Sequence, residues 1–361
     1  MRVLALVPNL PGHAPGQRTN IEAWAPHLTE MGIHVSFYPF ETKELHGILY
    51  EPGDTYRKAR TLANAYKNFL AEFPSPSDFD LLYVYREAAL VGPALTERWL
   101  SWRKVPFVYA VDDPIFVPYR SPYQGSLSWL KFFKKAEKTC STSAVTIVNS
   151  HPLKAWARQF CEDVVRIPSV VDVESYAMRC KQDNASLVIG WSGSPTTTSN
   201  LITILPILGQ IQNDREVRLK AVGISGDKQD LEGVECLPWE ASREVDEIKS
   251  FDIGLAPMID NPWNHWKFSL KVAQYAAAGV PVVASPVGDI PNQVVDGVTG
   301  YLACNPDDWR NHICRLLDNP SLREQMGIEG ERRAREYYSA EKAASSAAEV
   351  LKRAHASAEG R

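Results

Sequence analysis

Along residues 2–149, short apolar runs alternate with amphipathic stretches. The runs RVLALVP, HVSFYPF, DLLYVYR, PFVYAVDD and AVTIVNS are interleaved with segments such as RTNIEAWAPHLTEMG and YRKARTLANAYKNFLAEF, whose apolar residues recur at helical spacing. Runs this short and continuous predict strands buried on both faces, and their alternation with helices predicts βαβ units in a parallel sheet. A second series, SLVIGW, VRLKAVG, VECLPW, DIGLAPM, VPVVASP and TGYLA, repeats the arrangement, with helical segments such as NLITILPILGQIQ between its members. Between the two series lies RIPSVVDVESYAMRCKQDNAS, polar and irregular. The expectation is an α/β chain of two doubly wound, Rossmann-like domains at 1–168 and 187–335, joined by a linker at 169–186. An Ala-rich helix is expected in 336–361. Open α/β sheets take ligands beyond the carboxyl ends of their strands, so loops after strands are expected to line a cleft between the domains.

Composition narrows the classes. A chain of 361 residues with 45% hydrophobic residues suits two globular domains rather than a disordered chain. It has no apolar run of about 18 residues, the length a transmembrane helix needs. The opening MRVLALVPN turns polar too soon for a signal peptide. A net charge of −4 argues against nonspecific nucleic-acid binding. The six cysteines are scattered without a CxxC pair, as reduced thiols in a cytoplasmic protein would be, so neither a disulfide framework nor a metal site is expected.

Candidate chemistry clusters in a few loops. In residues 254–303 a strand, DIGLAPM, leads through a Pro/Asn/Trp loop to a helix expected to open near Lys267. Lys267, Lys271 and Gln274 would then share one face at i, i+4 and i+7. Two ammonium groups at a helix N-terminus strengthen its attraction for anions; the alternative is a surface helix with solvated lysines. In VIGWSGSPTTTSNLITIL a strand ends at Trp191 and a helix begins near Ser199. Gly193 and Ser194 between them permit close approach to phosphate oxygens, although many strand-to-helix turns look alike. In the first half, PNLPGHAPGQRTN carries Gly16 and Arg18, VYREAALVG places Arg86 and Glu87 at a strand end, and PFVYAVDDPIF ends in Asp112 and Asp113. Arg86 and Glu87 either meet an acceptor or pair with each other. The segment SLSWLKFFKKAEKTCS, 126–141, reads either as a basic amphipathic helix for an anionic membrane surface or as a sheet-covering helix with solvated lysines.

The phrase AAAGVPVVASPVGDIPNQVVDGVTGYL resembles the sugar-nucleotide-binding core of family 4 (group 1) glycosyltransferases, which have the GT-B fold. The likeness continues at Gly16–Gly32, Tyr85–Glu87, Tyr109–Phe116, Ile167–Asp172, Gly190–Ser194, Leu237–Trp239, Phe251–Pro257 and Met326–Tyr338. It implies two Rossmann-like domains facing each other across a cleft, with the C-terminal helix returning to the first. The implied activity is retaining, metal-independent transfer of a sugar from a nucleoside diphosphate donor, with no cofactor. The acceptor hydroxyl would belong to a glycan, a lipid-linked molecule or a small molecule. Many members carry two glutamates eight residues apart; Trp266 and Gln274 stand at those positions. The pattern of Trp263, Lys267, Lys271 and Gln274 instead resembles a tryptophan–lysine–lysine–glutamine subgroup. An arginine and a lysine that bind diphosphate in many members are absent around Gly193, which passes the cationic, catalytic role to Lys267 and Lys271.

The resemblance also implies donor-binding roles for Gly16, Arg18, Trp191, Gly193, Ser194, Trp239, Gln274 and Gly288. Arg18 either reaches the diphosphate or caps the surface, and Trp239 lies either near the nucleobase or in the core. Arg86 and Glu87 fall on the acceptor side. Asp112 or Asp113 is expected to contact sugar or acceptor, where many members have a histidine. Some relatives act on lipid-linked acceptors, which makes peripheral attachment at the inner membrane face an expectation to test. The alternatives are a sugar-nucleotide epimerase of the same fold and a non-catalytic nucleotide-sugar-binding protein.

Overall fold

A computed structural model describes residues 1–49, 53–118, 132–177, 186–224 and 231–359. The chain forms two compact units, one of Met1–Ser169 with Ala340–Arg361 and one of Val170–Ser339.

The first unit is built on a parallel six-stranded sheet: β1 (Arg2–Val7), β2 (His34–Pro39), β3 (Leu81–Tyr85), β4 (Phe107–Val111), β5 (Val145–Val148) and β6 (Val164–Arg166). Their spatial order is β2-β1-β3-β4-β5-β6, with Leu4 beside Leu82 and Tyr83 beside Val108. β3, β4 and β5 are buried at every position, as expected for strands covered on both faces, whereas the edge strand β2 is only partly covered. The chain leaves β1 in one direction to make β2, then starts β3 on the other side. The switch point therefore lies between β1 and β3. The helix Ala340–Glu359 packs on the helix Ala23–Glu30 and on β3 and β4. Arg353 reaches Asp163 at 2.9 Å and the His355 ring meets the Asp80 carbonyl at 3.1 Å.

The second unit repeats the plan with β7 (Leu187–Ser192), β8 (Val217–Val222), β9 (Val234–Leu237), β10 (Ile253–Ala256), β11 (Val282–Ala284) and β12 (Gly300–Leu302), ordered β12-β11-β10-β7-β8-β9. Alternate residues of each central strand feed two apolar layers. Ile189, Trp191, Leu255 and Val283 face one, with Leu208 and Ile313 from its helices; Val188, Ala256 and Val282 face the other, with Val272 and Tyr275. Here the switch point lies between β7 and β10.

From Val170 on, the expected linker belongs to this second unit. Val171 bridges to Ser339, its N–H donating to the Tyr338 carbonyl at 3.0 Å, and a short helix, Val173–Tyr176, follows. Residues 178–185 of that segment lie outside the described residues, as do residues 126–131 of the basic segment. The remainder of the latter leads into the helix Lys135–Thr142. Among the described residues no helix is long and apolar enough to cross a membrane.

Candidate functional site

At the switch point of the second sheet, β7 ends in Trp191 and Ser192, and the chain turns through Gly193 and Ser194 into a short 3-10 turn, Pro195–Thr197. The turn is self-capped: Ser194 N–H donates to Thr197 Oγ1 at 3.1 Å and Thr197 N–H to the Ser194 carbonyl at 2.9 Å. Gly193 N–H donates to the Val222 carbonyl at 2.9 Å, so its direction is fixed by β8. The helix that follows begins at Thr198, one residue from the expected start.

From β10 the chain runs through a 3-10 turn, Asn264–Trp266, to the helix Leu270–Ala277. This corrects the expected start at Lys267: Lys267 is extended (φ −77°, ψ 139°), and Ser269 is the N-cap. Lys267 therefore reaches Lys271 through the loop, not through helical register, and only Lys271 and Gln274 share helical spacing. Gly288 holds this loop in place. Its φ of +64° favours glycine, and a Cβ there would lie 2.6 Å from the Lys267 carbonyl oxygen and 2.7 Å from that of Asn264. The neighbouring Asp289 N–H donates to the same Lys267 carbonyl at 2.9 Å.

Lys271 is the centre of the arrangement. Its ammonium sits 4.3 Å from the centroid of the Trp191 ring, which is buried, an attractive cation–π geometry. No acidic side chain among the described residues pairs with it. Burial, and then the charge of Lys267, lower its pKa from the ordinary 10.5 to about 7. At the adjacent N-cap, the Ser269 hydroxyl is buried without a hydrogen-bond partner. Two lysine charges, an open helix N-terminus and an unused hydroxyl together favour a ligand carrying more than one negative charge.

Three residues not anticipated from sequence build this site. Tyr275 accepts a hydrogen bond from Ser192 N–H at 2.8 Å and donates to the Leu255 carbonyl at 3.3 Å, tying the ends of β7 and β10 to the helix. Gln293 brackets the N-cap backbone, accepting from Ser269 N–H at 2.8 Å and donating to its carbonyl at 2.9 Å. Tyr176 accepts from Gln274 Nε2 at 3.0 Å, which keeps Gln274 buried. Of the other donor candidates, Trp239 is 45% exposed and donates to Glu244 at 3.0 Å, so it is not the core tryptophan that sequence left open.

The switch point of the first sheet brings Gly16, Arg86, Asp112 and Asp113 together. Arg86 has φ +56°, uncommon for a residue with a side chain. Its guanidinium grips Asp112 through Nε (2.5 Å) and Nη2 (2.8 Å) and also reaches Asp113 at 2.7 Å. Tyr85 donates to Asp112 at 2.6 Å. Burial disfavours the Arg86 charge, but Asp112, Tyr85 and Asp113 together more than offset this, and the pKa is raised well above its ordinary value. A Cβ at Gly16 would come within 2.5 Å of both Arg86 Nη2 and Asp112 Oδ2, so glycine is what lets the loop after β1 close over this cluster. Asn20 Nδ2 holds the Gly16 carbonyl at 2.6 Å, and Arg18 opens the π-helical turn Arg18–Glu22.

These contacts correct one expectation and narrow another. Arg86 and Glu87 do not pair with each other: Glu87 forms an ion pair with Lys135, which also donates to the Ala89 carbonyl at 3.0 Å. Lys135 is thus buried, whereas Lys134 and Lys138 of the same segment are exposed. Asp112, buried and gripped by Arg86, presents no free carboxylate; Asp113 is the more exposed of the two. No group of three or more metal-ligating side chains occurs among the described residues.

Residues 187–319 match the family described as Glycosyl transferases group 1. D-inositol 3-phosphate glycosyltransferase of Thermobifida fusca is 39% identical over 71 residues, covering 19% of this chain and 16% of that protein. Trehalose synthase of Pyrococcus horikoshii is 32% identical over 71 residues, 20% of this chain and 17% of that protein. These local matches span less than a fifth of either relative's length. The structural likeness runs the full length. Sucrose-phosphate synthase from Thermosynechococcus elongatus superposes with a TM-score of 0.71 at 15% identity, over 99% of this chain and 100% of that one. Anabaena HepE in complex with UDP-glucose gives 0.64 at 16% identity, over 98% and 99%. The fold, two parallel six-stranded sheets with flanking helices, is the GT-B fold of these glycosyltransferase structures.

Proposed function

We propose that this chain is a glycosyltransferase that takes a nucleoside diphosphate-sugar and passes the sugar to an acceptor hydroxyl with retention of configuration. The observation that carries this is Lys271, a partly buried ammonium over Trp191, beside Lys267 and a helix N-terminus, with no carboxylate among the described residues to neutralise it. Such a site is completed by a diphosphate. The group 1 match over the segment that contains it supports a sugar-nucleotide donor, as does the bound UDP-glucose of HepE.

In this proposal the diphosphate lies against Lys267, Lys271, Ser269 and the N–H groups opening the helix Leu270–Ala277. Gly193 and Ser194 would line its other side. The cations stabilise charge growing on the departing diphosphate as the anomeric carbon becomes cation-like, and their effect is larger in a site that excludes water. A leaving phosphate oxygen then takes the acceptor's proton, so no protein base is required. Asp112 is engaged by Arg86, in keeping with this. In the same reading the Arg86–Asp112 cluster would serve the acceptor side, Gly16 and Arg18 the donor, and Trp239 and Gln274 the nucleoside. The matches give the epimerase alternative no support.

A thermal-shift screen with UDP-, GDP-, dTDP- and ADP-sugars identifies the donor as the compound that raises Tm. Lys271→Met should abolish that rise without lowering the Tm of the unliganded protein; an unchanged rise would refute the diphosphate site. Product analysis with the identified donor across a broad acceptor panel separates the functions. Donor binding without transfer or hydrolysis would make the chain a nucleotide-sugar-binding protein.

A further inference from the structure

The helix Leu95–Trp102 in the first unit has an inner face that is ordinary and an outer face that is not. Thr96, Glu97 and Leu100 are buried, while Leu95 is 49%, Trp99 39% and Trp102 75% exposed. At about 100° per residue, Leu95, Trp99 and Trp102 fall within an arc of roughly 60°. Arg98 flanks this stripe on one side and Arg103 on the other, and Lys104 follows; all three are exposed. None of the three has an acidic partner among the described residues. The one acidic residue of the stretch, Glu97, points inward and accepts the Ala88 N–H at 2.9 Å.

We propose that this face docks on the surface of an anionic lipid bilayer. Large side chains rarely stand exposed in line on a soluble helix without a partner. Tryptophan has an apolar body and a polar N–H, the combination that settles at the boundary between headgroups and acyl chains. Cations on both sides of the stripe complement acidic headgroups. The neighbouring helix Lys135–Thr142, which contacts this one, adds exposed Lys134 and Lys138. The surface is thus distinct from the 126–141 segment that the sequence singled out, although it borders it. Through Glu97 and Ala88 the docked helix is fastened to the loop that carries Arg86 and Glu87. A bilayer-bound molecule would therefore hold this loop near the lipid. The inference stands on the helix alone and does not depend on sugar transfer.

Co-sedimentation of the full chain with vesicles tests it, comparing pure phosphatidylcholine with phosphatidylcholine containing phosphatidylglycerol. The chain should sediment with the anionic vesicles, weakly with the neutral ones, and less as salt rises. Leu95→Ser with Trp102→Ser should weaken binding about tenfold or more, two exposed apolar groups being withdrawn from the interface. Trp99 is left in place because it packs against Phe73. Should the paired variant melt early, Arg98→Gln with Arg103→Gln and Lys104→Gln reads the same surface, with an expected loss of about fivefold per cation. The proposal is overturned if the chain does not sediment with anionic vesicles at low salt, or if the folded variants bind like the parent. It is equally overturned if sedimentation velocity shows self-association that Trp102→Ser abolishes, since the face would then belong to a second copy.

Discussion

The two switch points make an instructive pair, because both gather charge at the carboxyl ends of parallel strands and they treat it in opposite ways. In the first unit opposite charges are paired within the structure: Arg86 with Asp112 and Asp113, Glu87 with Lys135. In the second, Lys271 and Lys267 stand together with no such arrangement around Lys271. A cluster paired within itself is a rigid piece of structure whose purpose is met on folding. A buried ammonium such as that of Lys271, with no carboxylate beside it among the described residues, is a cost to the folded chain that an anion would offset. On the proposed reading, the first site serves stability and the second serves ligand binding.

The largest effect should come from breaking the first cluster. Asp112→Ala leaves Arg86 buried without its main partner and should cost about 3–5 kcal/mol, read as a fall in the denaturation midpoint with unchanged slope. If stability barely moves, the cluster is not the structural element described here. The contrasting substitution is Lys271→Met. It should weaken donor binding by about 2–5 kcal/mol, measured by calorimetry, while raising the Tm of the unliganded protein. A loss of stability in this variant would erase the distinction between the sites.

Part of that distinction was legible in the sequence. The central strands were, because burial on both faces makes them continuous apolar runs, and Lys271 was, because a lysine at a small-residue helix is local information. The start of that helix was misplaced because Lys267 and Lys271 suggested helical spacing, whereas the boundary signal is Ser269. The pairing of Arg86 with Asp112, or of Glu87 with Lys135, could not be read, since each joins residues on different elements and the sheet order alone brings them together. The exposure of Trp239 was hidden for the same reason: it depends on β9 being an edge strand.

A smaller effect should follow Tyr275→Phe, which keeps the ring but leaves Ser192 N–H without an acceptor in a buried place. A cost of about 1–3 kcal/mol is expected, with a modest loss of donor affinity as the end of β7 loosens. Stability unchanged in this variant would show that the link between β7 and the helix is dispensable.

The mildest test is pH. With its pKa lowered to about 7, Lys271 holds fewer protons when folded than when unfolded between there and its ordinary 10.5. Its penalty is full below pH 7 and disappears as pH rises through that window. The Tm advantage of Lys271→Met should therefore be greatest below pH 7 and fade in alkali. Donor affinity should change the other way, falling by up to about tenfold per unit above pH 7 as the ammonium loses its proton. A flat profile in the parent chain would mean that Lys271 does not contact the anion.

The return of Ala340–Glu359 to the first unit has a consequence for how this chain is made. The second unit is an insertion within the first, entered after Ser169 and left at Ser339. A ribosome releases residues in order, so β1 to β6 emerge early, while Ala344, Ala347 and Leu351, which are buried in the finished molecule, emerge last. The first unit must wait with an uncovered flank while the second, a single continuous segment, can complete itself. Although it starts the chain, the first unit is the last to be finished.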